Sequence, residues 1–188
     1  MMAPYFGSSF TQSSLPIARL QASADLSRIL ENITASYNKI PHWRPNTPYA
    51  SNTLILPSIR IRNGYQYKCT GSGTSGANEP LWPQTVGSSV ADGSATWQND
   101  GNAPTLVDLQ TAVGAAGGGE DQDYSNAFGN YRVVQNRFIK FDAGYTEVNI
   151  NNDPSDEKYQ RYLKVTIGHR SDDPRRTGET RTALYVMR

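Results

Sequence analysis

The chain has 188 residues, 37% of them hydrophobic and 19% charged, with a formal net charge of +1. This length holds one medium domain or two small ones around a modest core, and so small a net charge gives no global field to draw in nucleic acid or an anionic membrane. No apolar run reaches the roughly 18 residues of a membrane-spanning helix, and the single cysteine, Cys69, excludes an intrachain disulfide.

The first residues have neither the basic stretch nor the apolar stretch of a secretory signal, so synthesis in a cytoplasm is expected. Up to Ser14 the chain is rich in Ser and aromatic residues without a clear period. It reads as an extended arm whose Tyr5, Phe6 and Phe10 pack on something rather than face water. Ser14 as cap and Pro16 in a first turn then open a helix. Ile17, Leu20, Ala24, Leu26, Ile29, Leu30, Ile33 and Tyr37 follow helical spacing, and Pro41 ends the pattern. Leu26, Ile29, Leu30 and Ile33 are candidates for docking a partner. The alternative is an ordinary amphipathic helix lying on its own domain, the commoner arrangement.

Residues 42–101 read as short strands and turns and carry all three tryptophans. Leu54-Ile55-Leu56 is a short strand closed by Pro57. Ile59 to Cys69 reads as a hairpin. A two-residue Asn63-Gly64 turn would pair Ile61 with Gln66 and mix polar with apolar on both faces. A three-residue loop, Arg62-Asn63-Gly64, pairs Ile61 with Tyr65 and Ile59 with Tyr67 and gives one apolar face. The longer loop is therefore predicted, with Gly64 left-handed.

Residues 102–130 read as a Gly-rich acidic linker, with Asp108, Glu120, Asp121 and Asp123 and no Lys or Arg. A short helix is possible around Pro104–Val113, where Leu106, Leu109 and Val113 are suitably spaced. Beyond it come strands at Tyr131–Phe141, Tyr145–Ile150, Tyr159–His169 and Thr182–Met187, with a turn cluster at Ser171–Gly178. The fold class is mainly β with one N-terminal amphipathic helix (α+β). Residues 1–42 form the arm and helix, 43–101 a Trp-rich β-module, 102–130 the linker and 131–188 an antiparallel C-terminal sheet on which the helix packs.

The residues offer little for catalysis. His42 and His169 lie in different units, and one cysteine cannot build a structural zinc site. Nucleophile-elbow, Walker and dinucleotide fingerprints are absent from the sequence. Gly71-Ser-Gly-Thr-Ser-Gly76 resembles a phosphate loop in composition, but Glu79-Pro80 follows where a Lys-Ser/Thr and a helix would be needed. Asp153, Asp156 and Glu157 lack the spacing of a calcium loop and read as a solvated turn. A convergent glycosidase pair can come from anywhere in a sequence, although this chain is a poor scaffold for one. No enzyme, cofactor or metal is expected. From Lys158 to Arg188, eight basic residues stand against three acidic ones, a local balance of +5. Arg175 and Arg176 are its candidates for contact with acidic protein surfaces; salt bridges to the acidic linker are the plainer reading.

The middle segment carries a resemblance. Its words are Trp43-Arg-Pro-Asn-Thr-Pro-Tyr49, then Asn63-Gly64-Tyr65-Gln66-Tyr67-Lys68-Cys69. Next come Gly73-Thr-Ser-Gly76-Ala-Asn-Glu79-Pro80-Leu-Trp82-Pro83 and Asp92-Gly93-Ser-Ala-Thr96-Trp97. In order and spacing they resemble the carbohydrate-binding-type (chitin-binding-like) module that recurs in tail, fibre and capsid-surface proteins of tailed bacteriophages. The match covers 43–101, and the flanks resemble no family that can be named. The resemblance implies a virion structural protein, made in the host cytoplasm, at the tail, baseplate or neck. A capsid decoration or head-fibre protein, or a carbohydrate-binding adhesin, are the alternatives. Its partners would be other virion proteins in a symmetric multi-copy assembly, with a host surface glycan as a further candidate and neither membrane nor direct DNA contact. Trp82, Trp43 and Tyr49 are the sugar-stacking candidates; the plainer reading makes the tryptophans the module's core.

Overall fold

The computed structural model describes residues 5–114, 121–149, 162–170, 178 and 180–186, with side chains for all of these except 5–16, 18 and 149. The elements are helix α1 (Tyr5–Tyr37), strands β1 (Pro48–Tyr49) and β2 (Leu54–Ile55), a 3-10 turn (Ile59–Ile61), and strands β3 (Tyr65–Gly71), β4 (Gly73–Thr74), β5 (Ser89–Asp92) and β6 (Ala95–Asn102). Helix α2 (Leu106–Val113) follows, then β7 (Gln122–Asn126), β8 (Gly129–Phe141), β9 (Glu147–Asn149), β10 (Tyr162–Gly168) and β11 (Thr180–Val186). As the sequence patterns predict, the protein is mainly β, its sheets are antiparallel, and a helix precedes the C-terminal sheet. Two compact units result, one made of Met1–Ser36 with Leu106–Met187 and the other of Tyr37–Thr105.

In the first unit the sheet runs β11-β10-β8-β7, with β9 also paired to β8. Helix α1 buries Ala22, Leu26, Ile29 and Ile33, spaced four, three and four residues apart along one face. This stripe lies on the sheet. A side chain at Gly129 of β8 would come within 3.3 Å of Ile29. His169 Nε2 is 3.0 Å from the Ala22 carbonyl, Thr34 Oγ1 is 3.2 Å from the Tyr185 hydroxyl, and Arg181 donates to Ser23 Oγ. Tyr131, Val133 and Phe138 of β8 and Leu163, Val165 and Ile167 of β10 complete the core. Ile17, Leu20 and Ala24 share the predicted period but stay exposed.

Two expectations for this unit need correction. The stretch from Tyr5 to Ser14 was expected to be an extended arm, yet it belongs to α1; Ser14 is no cap and Pro16 lies inside the helix. Proline removes one backbone donor, and a helix already formed over many residues extends at little further cost. The linker expected at 102–130 is largely structured. Helix α2 buries Leu106, Leu109 and Val113 as their spacing predicts, and β7 pairs with β8. Gln110 and Asn136, both buried, each donate to the other's backbone carbonyl at 3.0 and 2.8 Å. The Ser171–Gly178 turn and the acidic residues at 153–157 lie outside the described residues, Gly178 excepted.

In the second unit a four-stranded sheet runs β2-β3-β6-β5, and β1 pairs with β4. The predicted hairpin register is wrong. Ile59–Ile61 forms a 3-10 turn, and the strand beside β3 is β2, with Ile55 opposite Tyr67 and Leu54 opposite Lys68. Tyr67 does face an isoleucine, but it is Ile55. Glu79 Oε1 accepts from the Ser58 N–H at 2.7 Å and turns the backbone away after Pro57, leaving Ile59 66% exposed. Gly64 is left-handed as expected, at φ +79, and Asn63 Oδ1 accepts from the Tyr65 N–H at 3.1 Å within that turn. A Cβ added at Gly64 meets nothing within 4 Å, so a substitution there is opposed by conformation alone. Gly64→Val is expected to cost about 1–3 kcal/mol, because a β-branched residue resists positive φ. An unchanged denaturation midpoint, followed by tryptophan emission, would contradict this.

Candidate functional site

The tryptophans belong to one buried network. The core of the second unit is Trp43, Ile55, Tyr67, Cys69, Trp82, Ala95 and Trp97, with Tyr49, Tyr65 and Val90 packed against it. Strand β6 builds its inner face by alternation, burying Ala95, Trp97 and Asn99, and β3 contributes Tyr67 and Cys69 opposite Asn99 and Trp97. The rings pack edge-on or tilted. Trp82 and Trp97 have centroids 6.2 Å apart, Tyr67 and Trp82 4.4 Å, and Tyr49 and Trp97 4.9 Å with their planes at 77°. These are the offset arrangements that aromatic quadrupoles favour.

A buried indole needs an acceptor for its N–H, and here two indoles share one. Asp92, only 4% exposed, accepts from Trp43 Nε1 at 2.8 Å and from Trp97 Nε1 at 2.9 Å on the same oxygen, Oδ2. Its other oxygen accepts from the Gly76 N–H at 2.7 Å. Asp92 ends β5, and left-handed Gly93 (φ +64) turns the chain into β6, which puts Trp97 in reach. Gly93 must also lack a side chain because a Cβ there would strike the Thr74 carbonyl. The third indole has its own carboxylate: Trp82 Nε1 donates to Glu79 Oε1 at 2.8 Å, the same oxygen that holds Ser58. The Pro83 carbonyl then accepts from the Tyr67 hydroxyl and from Asn99 Nδ2, both at 2.9 Å, and fixes the end of this loop.

The residues proposed for sugar stacking are thus placed as follows. Trp43 and Trp82 are 8% and 7% exposed and belong to the core; Tyr49 is half-buried, with its ring against Trp97 and its hydroxyl accepting from the Arg44 N–H at 3.0 Å. A hollow of about 40 Å³, lined by His42, Leu56, Pro57, Arg62, Tyr65 and Pro104 among others, lies in the same unit. Of the docking candidates, Leu26, Ile29 and Ile33 face their own sheet and Leu30 is half-buried, while Arg175 and Arg176 lie outside the described residues. Among the described residues, no three His, Cys, Asp or Glu side chains converge to hold a metal ion.

Sequence reasoning missed Asp92 and Glu79 as the centres of the network. A signal was present: three indole donors and only three acidic residues occur between Tyr37 and Thr105. Burial holds the Tyr67 phenol above its usual ionisation range, outweighing the Asn63 hydrogen bond that opposes it. A raised phenol leaves its contribution intact below the unfolded value near pH 10 and loses it as pH climbs through the folded one. The module is therefore expected to unfold in alkali, with tyrosinate absorbance appearing together with the change in tryptophan emission. Tyr67→Phe should delay that transition to higher pH; an identical alkaline profile in the variant would rule Tyr67 out as its cause.

No family model, curated protein or solved structure matches the chain.

Proposed function

We propose that this chain is a non-catalytic structural component of a tailed-bacteriophage virion, at the tail, baseplate or neck, made in the host cytoplasm and assembled in several copies with other virion proteins. The unit of α1 and the C-terminal sheet is the part that joins the assembly, and the tryptophan module is carried as a second folding unit. One observation supports this best. The words that resemble phage-borne modules converge on a single buried network, in which Trp43, Gly76 and Trp97 meet on Asp92 and Trp82 meets Glu79. They act as the instructions for a small disulfide-free fold and not as a set of exposed reactive groups. The adhesin reading has less behind it, since Trp43 and Trp82 are occupied with packing.

The test is mass spectrometry of purified particles of the virus that encodes the chain, followed by locating its density. The chain should copurify at fixed stoichiometry, with ring-like density on the tail axis. Copies repeated over every facet would instead make it a capsid decoration, and absence from particles would refute a virion role.

A further inference from the structure

We infer that two copies of this chain join edge to edge through β11, antiparallel about a two-fold axis at Thr182, so that their two C-terminal sheets become one. The inference goes beyond the virion reading and does not depend on it, since the pairing is a property of the chain in solution.

The two edges of this sheet are built differently. One is broken into β7 and β9, of five and three residues, and carries Asp123 and Glu147. Short strands and charges are common means of keeping an edge from pairing with another chain. The other edge is β11, seven residues in unbroken register with β10, with neither proline nor lysine among them. Its one charged residue, Arg181, donates to Ser23 Oγ of α1, on the helix side of the sheet. Among the described residues, Thr180 to Leu184 hydrogen-bond along their backbone to β10 alone. Alternate N–H and C=O groups of this stretch therefore point away from the sheet, and a strand laid alongside satisfies them.

The edge fits its own copy. A two-fold axis at Thr182 engages this whole stretch, with Thr182 opposite itself, Arg181 opposite Ala183 and Thr180 opposite Leu184. Like charges do not meet, because Arg181 is the one charge and faces Ala183. Thr182 alternates with Arg181 and so lies on the face away from α1. There its Oγ1 is 2.8 Å from Thr166 Oγ1, which is 3.4 Å from Gln135 Oε1. Pairing Thr182 with Thr182 carries this polar row across the axis.

Edge pairing by itself covers little apolar surface, and the helix supplies more. Arg181 reaches Ser23, and Thr34 Oγ1 is 3.2 Å from the Tyr185 hydroxyl. The stripe of Leu20, Ser23, Ser27, Leu30 and Thr34, spaced three and four apart, therefore runs along β11. On it Leu20 is 72% exposed and Leu30 half-buried. The rises of strand and helix put Thr182 level with Asp25 and Leu26. The two-fold thus sets Leu20 of one copy beside Leu30 of the other, and both leave water.

The full chain in solution provides the test. Sedimentation velocity should show a dimer. The native thiol, Cys69, is buried, so an introduced cysteine reports its own position. Thr182→Cys should give a disulfide-linked dimer on mild oxidation, roughly tenfold more than Ser125→Cys on the exposed part of β7. Thr182→Lys sets two like charges at the axis, and Leu20→Glu puts a charge against Leu30. Each should weaken the dimer roughly tenfold or more, with the far-UV circular dichroism of a folded chain. A monomeric wild type, equal disulfide yields at 182 and 125, or a dimer indifferent to both charged variants would overturn the inference.

Discussion

Asp92→Ala should unfold the tryptophan module. The substitution removes the acceptor of three buried donors, the indole N–H groups of Trp43 and Trp97 and the backbone N–H of Gly76. Each buried donor left without an acceptor costs about 1–3 kcal/mol, so the three together cost about 3–9 kcal/mol. A unit of this size, with no disulfide to support it, draws no more than about 3–5 kcal/mol from its core. The loss therefore matches or exceeds the stability available. All three tryptophans lie in this unit, so their emission reports on it directly and should shift to the red in the variant without denaturant. Asp92→Asn separates geometry from charge. Its carbonyl oxygen can still accept from both indoles, but its NH2 group would face the Gly76 N–H, a donor against a donor. The expected loss is smaller, about 1–3 kcal/mol, and the module should stay folded in buffer. Wild-type emission and midpoint in Asp92→Ala would show that Asp92 does not organise the core.

Trp82→Ala is expected to cost about 3–5 kcal/mol, the range for deleting a large buried ring. The ring is 7% exposed, packs on Tyr67 and Trp97, and holds Glu79 in the position from which it also binds Ser58. A sugar-stacking residue would behave in the opposite way, losing binding with stability nearly unchanged. Binding to chitin or a glycan array therefore separates the two roles. The wild type is expected to show none that a normally folded Trp82→Ala variant then loses. Neighbouring Leu81→Ala serves as the control for position in the loop. At 91% exposure it should stay within about 0.5 kcal/mol of wild type. Micromolar glycan binding abolished in a stable Trp82→Ala variant would make the module an adhesin.

What the sequence determined by itself lies in the periodic and conformationally restricted residues. Helical spacing marked the buried Leu26, Ile29 and Ile33 of α1 and Leu106, Leu109 and Val113 of α2, and the C-terminal strand patterns fell on β8 to β11. Left-handed Gly64 was legible from the Asn63-Gly64 pair, because a local φ preference does not depend on what lies across the fold, although the face argument that set its loop length was wrong. Only tertiary structure decided which isoleucine lies opposite Tyr67. Ile55 and Ile59 are equally apolar, and the choice falls to Glu79, some twenty residues further on, which captures the Ser58 N–H and turns Ile59 outwards. In the same way, the sequence showed three indoles and three carboxylates without showing their pairing. Asp92 lies 49 residues from Trp43, and a hydrogen bond between side chains so far apart leaves no period in the chain. The exposure of Ile59 is a further product of that long-range capture, since hydropathy alone would have placed it inside.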